Sequence, residues 1–436
     1  MRAVWRSLAV LPAVLIGVGL VLGWGLFIRL ADPTVHDNLT TAGREAVTAS
    51  GQVFVANETS GTISVIDAAT NAVVDTICLG SDPAIDGTPQ PAGPCNAEAD
   101  HHRPLYNGHI GPHGLWLTPD GAQLLVTNRL SGTIVGIDTT THSVVGYTPV
   151  EREPHLATVR PGGKEVWVAV RGESQLDVLS LTGRDANAER NGQTEQRIRT
   201  PQGAGTSREA AEAPRRRGEL FPKIDSVDSM LGPSMVSFTS DGAWAFVVSA
   251  KQRLVQKINA DSREVVASQV VSVPFSPFGL VTPDNRELYV VHKLAGTLSI
   301  LSTSDLSFVV RDLAIGPCAN HVFFLGNLAY ITSGGPTPCA PAGAATRQGK
   351  VVILDRTTHS VVRELSGPAF TGDPHGIWAT GDGSRLFVGR ESANQVSVID
   401  TGKPNDPADD RVIATVDVGK QPIDVVVSSH PSVVGP

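Results

Sequence analysis

The chain has 436 residues, 41% hydrophobic and 18% charged, which excludes disorder along its whole length and allows either one large repeat fold or two to three ordinary domains. Its 35 Lys and Arg against 43 Asp and Glu leave a formal charge of -8, which argues against a nucleic-acid partner. With 44 Gly, 30 Pro and only 5% aromatic residues, the composition points to many short strands joined by turns.

The first element is apolar. Ser7 to Ile28 is a run of 22 uncharged residues between Arg2 and Arg6 on one side and Arg29 and Asp32 on the other, long enough to cross a bilayer as a helix. A signal peptide would carry a small-x-small cleavage site, and only Gly23-Trp24-Gly25 comes near one. Residues 1–30 therefore read as an uncleaved membrane anchor and 31–50 as a linker. The excess of Arg before the run places everything after it on the extracytoplasmic side. The alternative is a cleaved leader and a secreted protein.

The four cysteines fall into two local sets, Cys78 with Cys95 and Cys318 with Cys339, 17 and 21 residues apart. Each set can staple one loop in an oxidising compartment, where closing a loop of about 15 residues contributes roughly 3 kcal/mol in the chain-entropy view. Four cysteines allow three connectivities, and the local one is expected.

An internal repeat runs through the rest of the chain. HGLWLTPDGAQLLVTN from His113 returns from His375 as HGIWATGDGSRLFVGR, with the same turn glycines and apolar alternation. A recurring strand appears seven times, as TISVID from Thr62, TIVGID from Thr133, QLDVLS from Gln175, LVQKIN from Leu254, TLSILS from Thr297, KVVILD from Lys350 and QVSVID from Gln395. Gly121 and Gly163 lie 42 residues apart, and Gly242 and Asn285 lie 43 apart, the period of a four-stranded propeller blade. Residues 52–79 supply three strands with no first strand before them, and the segment near Ile423 supplies a first strand with none after it. The expected fold is thus an all-β, seven-bladed propeller over 51–430, closed by the C-terminal strand.

The second strands FVAN (Phe54), LVTN (Leu125), WVAV (Trp167), YVVH (Tyr289) and FVGR (Phe387), each followed by a strand often ending in Ile-Asp, resemble the YVTN β-propeller repeat family. The resemblance covers about residues 50–428 and implies the fold much more than a function, since the scaffold carries surface proteins, binding modules and redox enzymes.

Insertions at 80–112, 202–232 and 335–349 are expected on the top face, where inner strands start and function usually sits. The polar stretch that includes Arg215, Arg216 and Arg217 reads as a solvated excursion. Seven of the twelve His stand at or before inner-strand starts: His101, His102, His109, His113, His155, His321 and His375. Around the ring they face one arc, with Ser234, Phe278 and Ile423 at the equivalent positions of the other blades. Converging imidazoles can hold a transition metal with an open position, although a Pro-His strand start is also what repetition alone would copy. The set is similar to the propeller of nitrous oxide reductase, which implies copper held by the adjacent pair His101 and His102 with His155, His321 and His375. Ser234 and Phe278 depart from that pattern, and no cupredoxin-like domain follows. A weaker similarity, to haem-binding nitrite reductase propellers, implies one axial His, without a Cys-x-x-Cys-His signature here.

Arg129, Arg171, Lys293 and Arg390 close second strands on the same face and form a candidate carboxylate or phosphate site. His142 and His359 lie in matching Thr-Thr-His-Ser turns on the opposite face and read as turn residues. Two functions compete: an extracytoplasmic binding or scaffold protein taking a protein or small-molecule partner on its top face, and a copper- or haem-dependent oxidoreductase or metal carrier. A lactonase-like hydrolase with a carboxylate-held calcium is less favoured, because the strand starts carry few acids.

Overall fold

A computed structural model describes residues 51–79, 110–181, 220–334, 348–403 and 405–428. They form seven four-stranded antiparallel sheets, the blades of a propeller. Numbered from the sheet that opens at Pro112–Leu117, the innermost strands of blades one to six are Pro112–Leu117, Pro154–Val159, Pro233–Phe238, Phe278–Val281, Val322–Leu325 and Pro374–Ala379. Blade seven joins Pro422–Val427 to three strands from the other end of the described chain, Gln52–Asn57, Thr62–Asp67 and Ala72–Cys78. Val53 pairs with Val427 and Val55 with Val425, so the C-terminal strand closes the ring as its sequence pattern requires.

Burial falls from hub to rim. Second strands such as Gln52–Asn57 and Leu328–Ser333 are buried at every position, because neighbouring blades cover both of their faces. Apolar clusters accordingly run between blades: Phe54, Ile63 and Val426 of blade seven pack with Leu124, Val126 and Ile137 of blade one. Fourth strands have only one covered face, which leaves Val73, Val145, Val266, Val309, Val362 and Ile413 exposed on the circumference.

The turns repeat as faithfully as the strands. Between first and second strands, Thr118, Thr239, Thr282 and Thr380 each donate to an Asp two residues on, ahead of a left-handed residue at Gly121, Gly242, Asn285 and Gly383. Between third and fourth strands, the carboxylates of Asp67, Asp138 and Asp355 each accept two backbone N–H groups. His142 and His359 are the left-handed residues that end two of these turns, with φ of 57° and 54°.

One insertion is placed differently from expectation. The fourth strand of blade two is Lys223–Asp228, paired with Gln175–Ser180, so 202–232 does not separate blades two and three. The excursion leaves between the third and fourth strands, on the face opposite the inner-strand starts. The short polar pattern KIDSVD hid this strand among loop residues. Residues 1–50, 80–109 and 335–347, with the expected anchor, linker and two insertions, lie outside the described residues. No helix among the described residues is long and apolar enough to cross a membrane.

Candidate functional site at the channel mouth

Seven inner strands start around one axis, and four of those starts carry histidine. His113, His155, His321 and His375 are all buried, at 5–7% exposure. Their rings form an arc: His321 to His375 is 4.8 Å between centroids, His375 to His113 6.4 Å and His113 to His155 4.4 Å. Phe278 of blade four extends the arc, 4.3 Å from His321. The blades thus bring together four of the seven singled-out histidines, in the expected order around the ring.

The backbone explains how the rings come so close. A Cβ at Gly114 would stand 2.5 Å from His155 O, and one at Gly376 would stand 2.6 Å from Asp424 Cα, so the glycines after His113 and His375 let the next inner strand approach. Second-strand hydroxyls then tie blade to blade: Thr127 Oγ1 donates to His155 O at 2.8 Å, and Thr332 Oγ1 to His375 O at 2.7 Å.

The four imidazoles are not equivalent. His113 Nδ1 is 2.5 Å from Glu58 Oε2, and Arg129 Nη2 donates to the other oxygen of the same carboxylate. Burial alone would push Glu58 up, but His113 and Arg129 outweigh it and hold the carboxyl at about 2. His155 Nδ1 donates to Ser234 O at 2.8 Å. His321 Nδ1 and His375 Nδ1 are buried without a hydrogen-bond partner. Burial pushes all four pKa values down, His321 to about 3 with Lys293 contributing, so the rings are neutral at pH 7. A neutral ring that donates through Nδ1, as His155 does, keeps a lone pair on Nε2.

Two acids complete the mouth that the sequence reading did not single out. Glu58 stands in the turn after the second strand of blade seven, and Asp424 lies within the inner strand of the same blade. Asp424 Oδ2 accepts from Leu115 N and its Oδ1 from Val425 N, both at 2.9 Å, and Oδ1 is 3.9 Å from His321 Nε2. Burial raises its carboxyl to about 7. A lone acid inside the apolar run PIDVVV was the available signal for Asp424; nothing local marked Glu58.

The four expected cations separate. Arg129 is paired with Glu58, and Arg171 lies 3.5 Å from Glu153. Arg390 is not at an open site: it is 4% exposed and donates to Gln395 Oε1 of its own blade and to Thr371 O and Pro368 O at the end of the outer strand of blade five, Ser360–Thr371, which makes it a tie between blades five and six. Lys293, like Arg390, has no carboxylate within 4.0 Å among the described residues, and unlike Arg390 its side chain is not taken up by carbonyl groups there. Its neighbour His292 is buried between Ser276 and Ser299 hydroxyls, a core position.

A metal ligand set is not assembled from these residues. Among the described residues, no group of three or more His, Cys, Asp or Glu is arranged to hold a metal ion. His101, His102 and His109 lie outside the described residues, as do Cys95 and Cys339. No described cysteine is a free thiol.

No family model matches the chain, and no curated protein does. Solved structures do. The chain is similar to hydrazine synthase of Kuenenia stuttgartiensis, at TM-score 0.58 and 17% identity over 76% of this chain and 93% of that one. It is also similar to a functionally unknown protein from Desulfotomaculum acetoxidans, at TM-score 0.58 and 11% identity over 88% and 100% of the two chains. A putative 6-phosphogluconolactonase of Bacteroides fragilis matches at TM-score 0.55 and 14% identity over 88% and 99%. At these identities the likeness concerns the fold alone, and the chain is a β-propeller protein.

Proposed function

We propose that this protein is an extracytoplasmic binding propeller, held to the membrane through residues 7–28, that takes a small ligand at the mouth of its channel. One observation carries the reading: four buried, neutral imidazoles from four blades meet in one arc. Packing the hub does not require them, because Phe278 and Ile423 fill the equivalent positions of other blades with apolar side chains. Leaving a buried polar atom such as His321 Nδ1 unpaired costs about 1–3 kcal/mol, a cost that a ligand interaction would explain. In the same reading the cysteines close local loops, Cys78 with Cys95 and Cys318 with Cys339, as an oxidising compartment permits.

The test is native mass spectrometry of the full chain in detergent beside a His155→Leu, His375→Leu double variant. The wild type should retain, or take up from a metabolite panel, a small molecule that the variant loses while remaining folded. Identical binding by both proteins would sink the reading.

A second reading, a copper-binding propeller serving redox chemistry or metal carriage, has its own support. Metal-ligating His usually donates its other ring nitrogen to a carboxylate or carbonyl, and His113 with Glu58 and His155 with Ser234 O have such partners. The described residues do not complete the set, so this reading depends on His101 and His102, and haem has less support still. Metal content after copper and zinc reconstitution decides it: near-stoichiometric copper lost on His155→Ala, His375→Ala supports the site, and none in either protein removes it.

A further inference from the structure

Lys293 follows the second strand of blade four, Glu287–His292, and its N–H donates to Phe275 O at 3.0 Å. Phe278 pairs with Val291, so Lys293 stands at the channel mouth beside the Phe278 and His321 end of the arc. Unlike Arg129 and Arg171, it is not neutralised by an acid in contact. Glu391 and Asp373 act on its charge from beyond ion-pair distance, and each accepts a hydrogen bond from a neutral side chain. Glu391 Oε1 accepts from Gln421 Nε2 at 3.0 Å, and Asp373 Oδ2 accepts from Ser392 Oγ at 2.7 Å.

Burial lowers the Lys293 pKa, with Glu391 and Asp373 working in the other direction. Lys293 in turn helps to depress His321 and His375, after burial itself. The ammonium and these two rings therefore share one electrostatic neighbourhood, and they are the two rings whose Nδ1 is buried without a partner. An unpaired cation, two under-used imidazoles and the flat face of Phe278 meet at one end of the arc.

We propose that Lys293 is the charge anchor for a small planar carboxylate bound at the His321 and His375 end of the channel mouth. This rests on the channel mouth being the ligand site. One ammonium without a paired acid calls for one negative charge, and Glu58 and Glu153 beside the other cations disfavour a more highly charged anion. The rings supply donors or acceptors on one side and a planar wall on the other.

Benzoate is the probe, titrated calorimetrically into the full chain in detergent at pH 7, with benzamide as its uncharged analogue. Lys293→Met should weaken benzoate binding by about tenfold or more, and Lys293→Arg by less than about threefold. Benzamide should bind the wild type at least about tenfold more weakly than benzoate, a comparison that needs no variant and stands even where Lys293→Met fails to fold. Equal affinities for the two probes, equal benzoate affinity in the wild type and Lys293→Met, or no benzoate binding at all would each overturn the proposal. Benzoate binding that ignores Lys293→Met yet disappears in His155→Leu, His375→Leu would leave the channel-mouth reading standing and remove only the anchor.

Discussion

The hub histidines and the rim histidines share a residue type and a repeating sequence context, yet the structure gives them different surroundings. His142 and His359 end turns at a position that Asn71, Arg263 and Leu306 fill in other blades, all left-handed. The turn is set by an Asp, Asn or Ser side chain that accepts backbone N–H groups, so the side chain at its end is interchangeable, and His142 and His359 pair with Asp75 and Glu287. Hub positions also vary, with Ser234, Phe278 and Ile423 among them, but strands that start at one axis put their side chains against each other. Convergence turns a repeated residue into a cluster at the hub and leaves it isolated at the rim.

The contrast is sharpest at Glu58. Glu58→Ala leaves Arg129 and His113 at the mouth without their shared partner, and should cost about 3–5 kcal/mol in chemical denaturation. Glu58→Gln, which keeps the shape, should cost less. A loss below about 1 kcal/mol for Glu58→Ala would remove the distinction between hub and rim.

Acid should attack the hub next. Each hub imidazole stays neutral in the fold below the unfolded value of about 6.5, so the unfolded chain binds more protons and stability falls as pH drops through that range. For His321 the loss continues towards its folded value of about 3. The limiting slope is about 1.4 kcal/mol per pH unit for each ring. Asp424 opposes this, because its folded value of about 7 lies above the unfolded one, so it contributes stability at low pH that is lost as pH rises through 7. Denaturation midpoints should therefore fall between pH 6 and 5, and fall more steeply in Asp424→Asn. A flat profile would mean that the rings are not held neutral by burial.

The smallest effect belongs to the rim. Asn tolerates the left-handed region, so His142→Asn and His359→Asn should stay within about 1 kcal/mol of the wild type and bind benzoate normally. A larger change would show that these turns do more than end a strand.

Much of this was legible in the chain. Third strands such as TISVID and QVSVID reveal the blade count, because a hub-and-rim sheet needs the same short alternating run in every blade. The unpaired first strand near Ile423 reveals the closure, and the His residues at strand starts, three after Pro and His321 after Asn320, reveal which histidines share an arc. Other features were hidden. Glu58 meets His113 across 55 residues with no local pattern to mark it, and Asp424 meets Leu115 across 309, marked only as a lone acid in the apolar run PIDVVV. Lys223–Asp228 was lost in a polar excursion because an outer strand, with one face in water, carries little apolar signal.

The sequence by itself determined the seven blades, the way the ring closes and the arc on which the histidines stand, since these follow from a period and an alternation that local strand physics reads directly. Only the tertiary structure decided which partners the charged side chains find: that Arg129 belongs to Glu58, that Arg390 ties its blade to the one before it and that Lys293 is left without a paired acid. Those partnerships form across blades, where the distance between charges, and not their spacing in sequence, sets the energy.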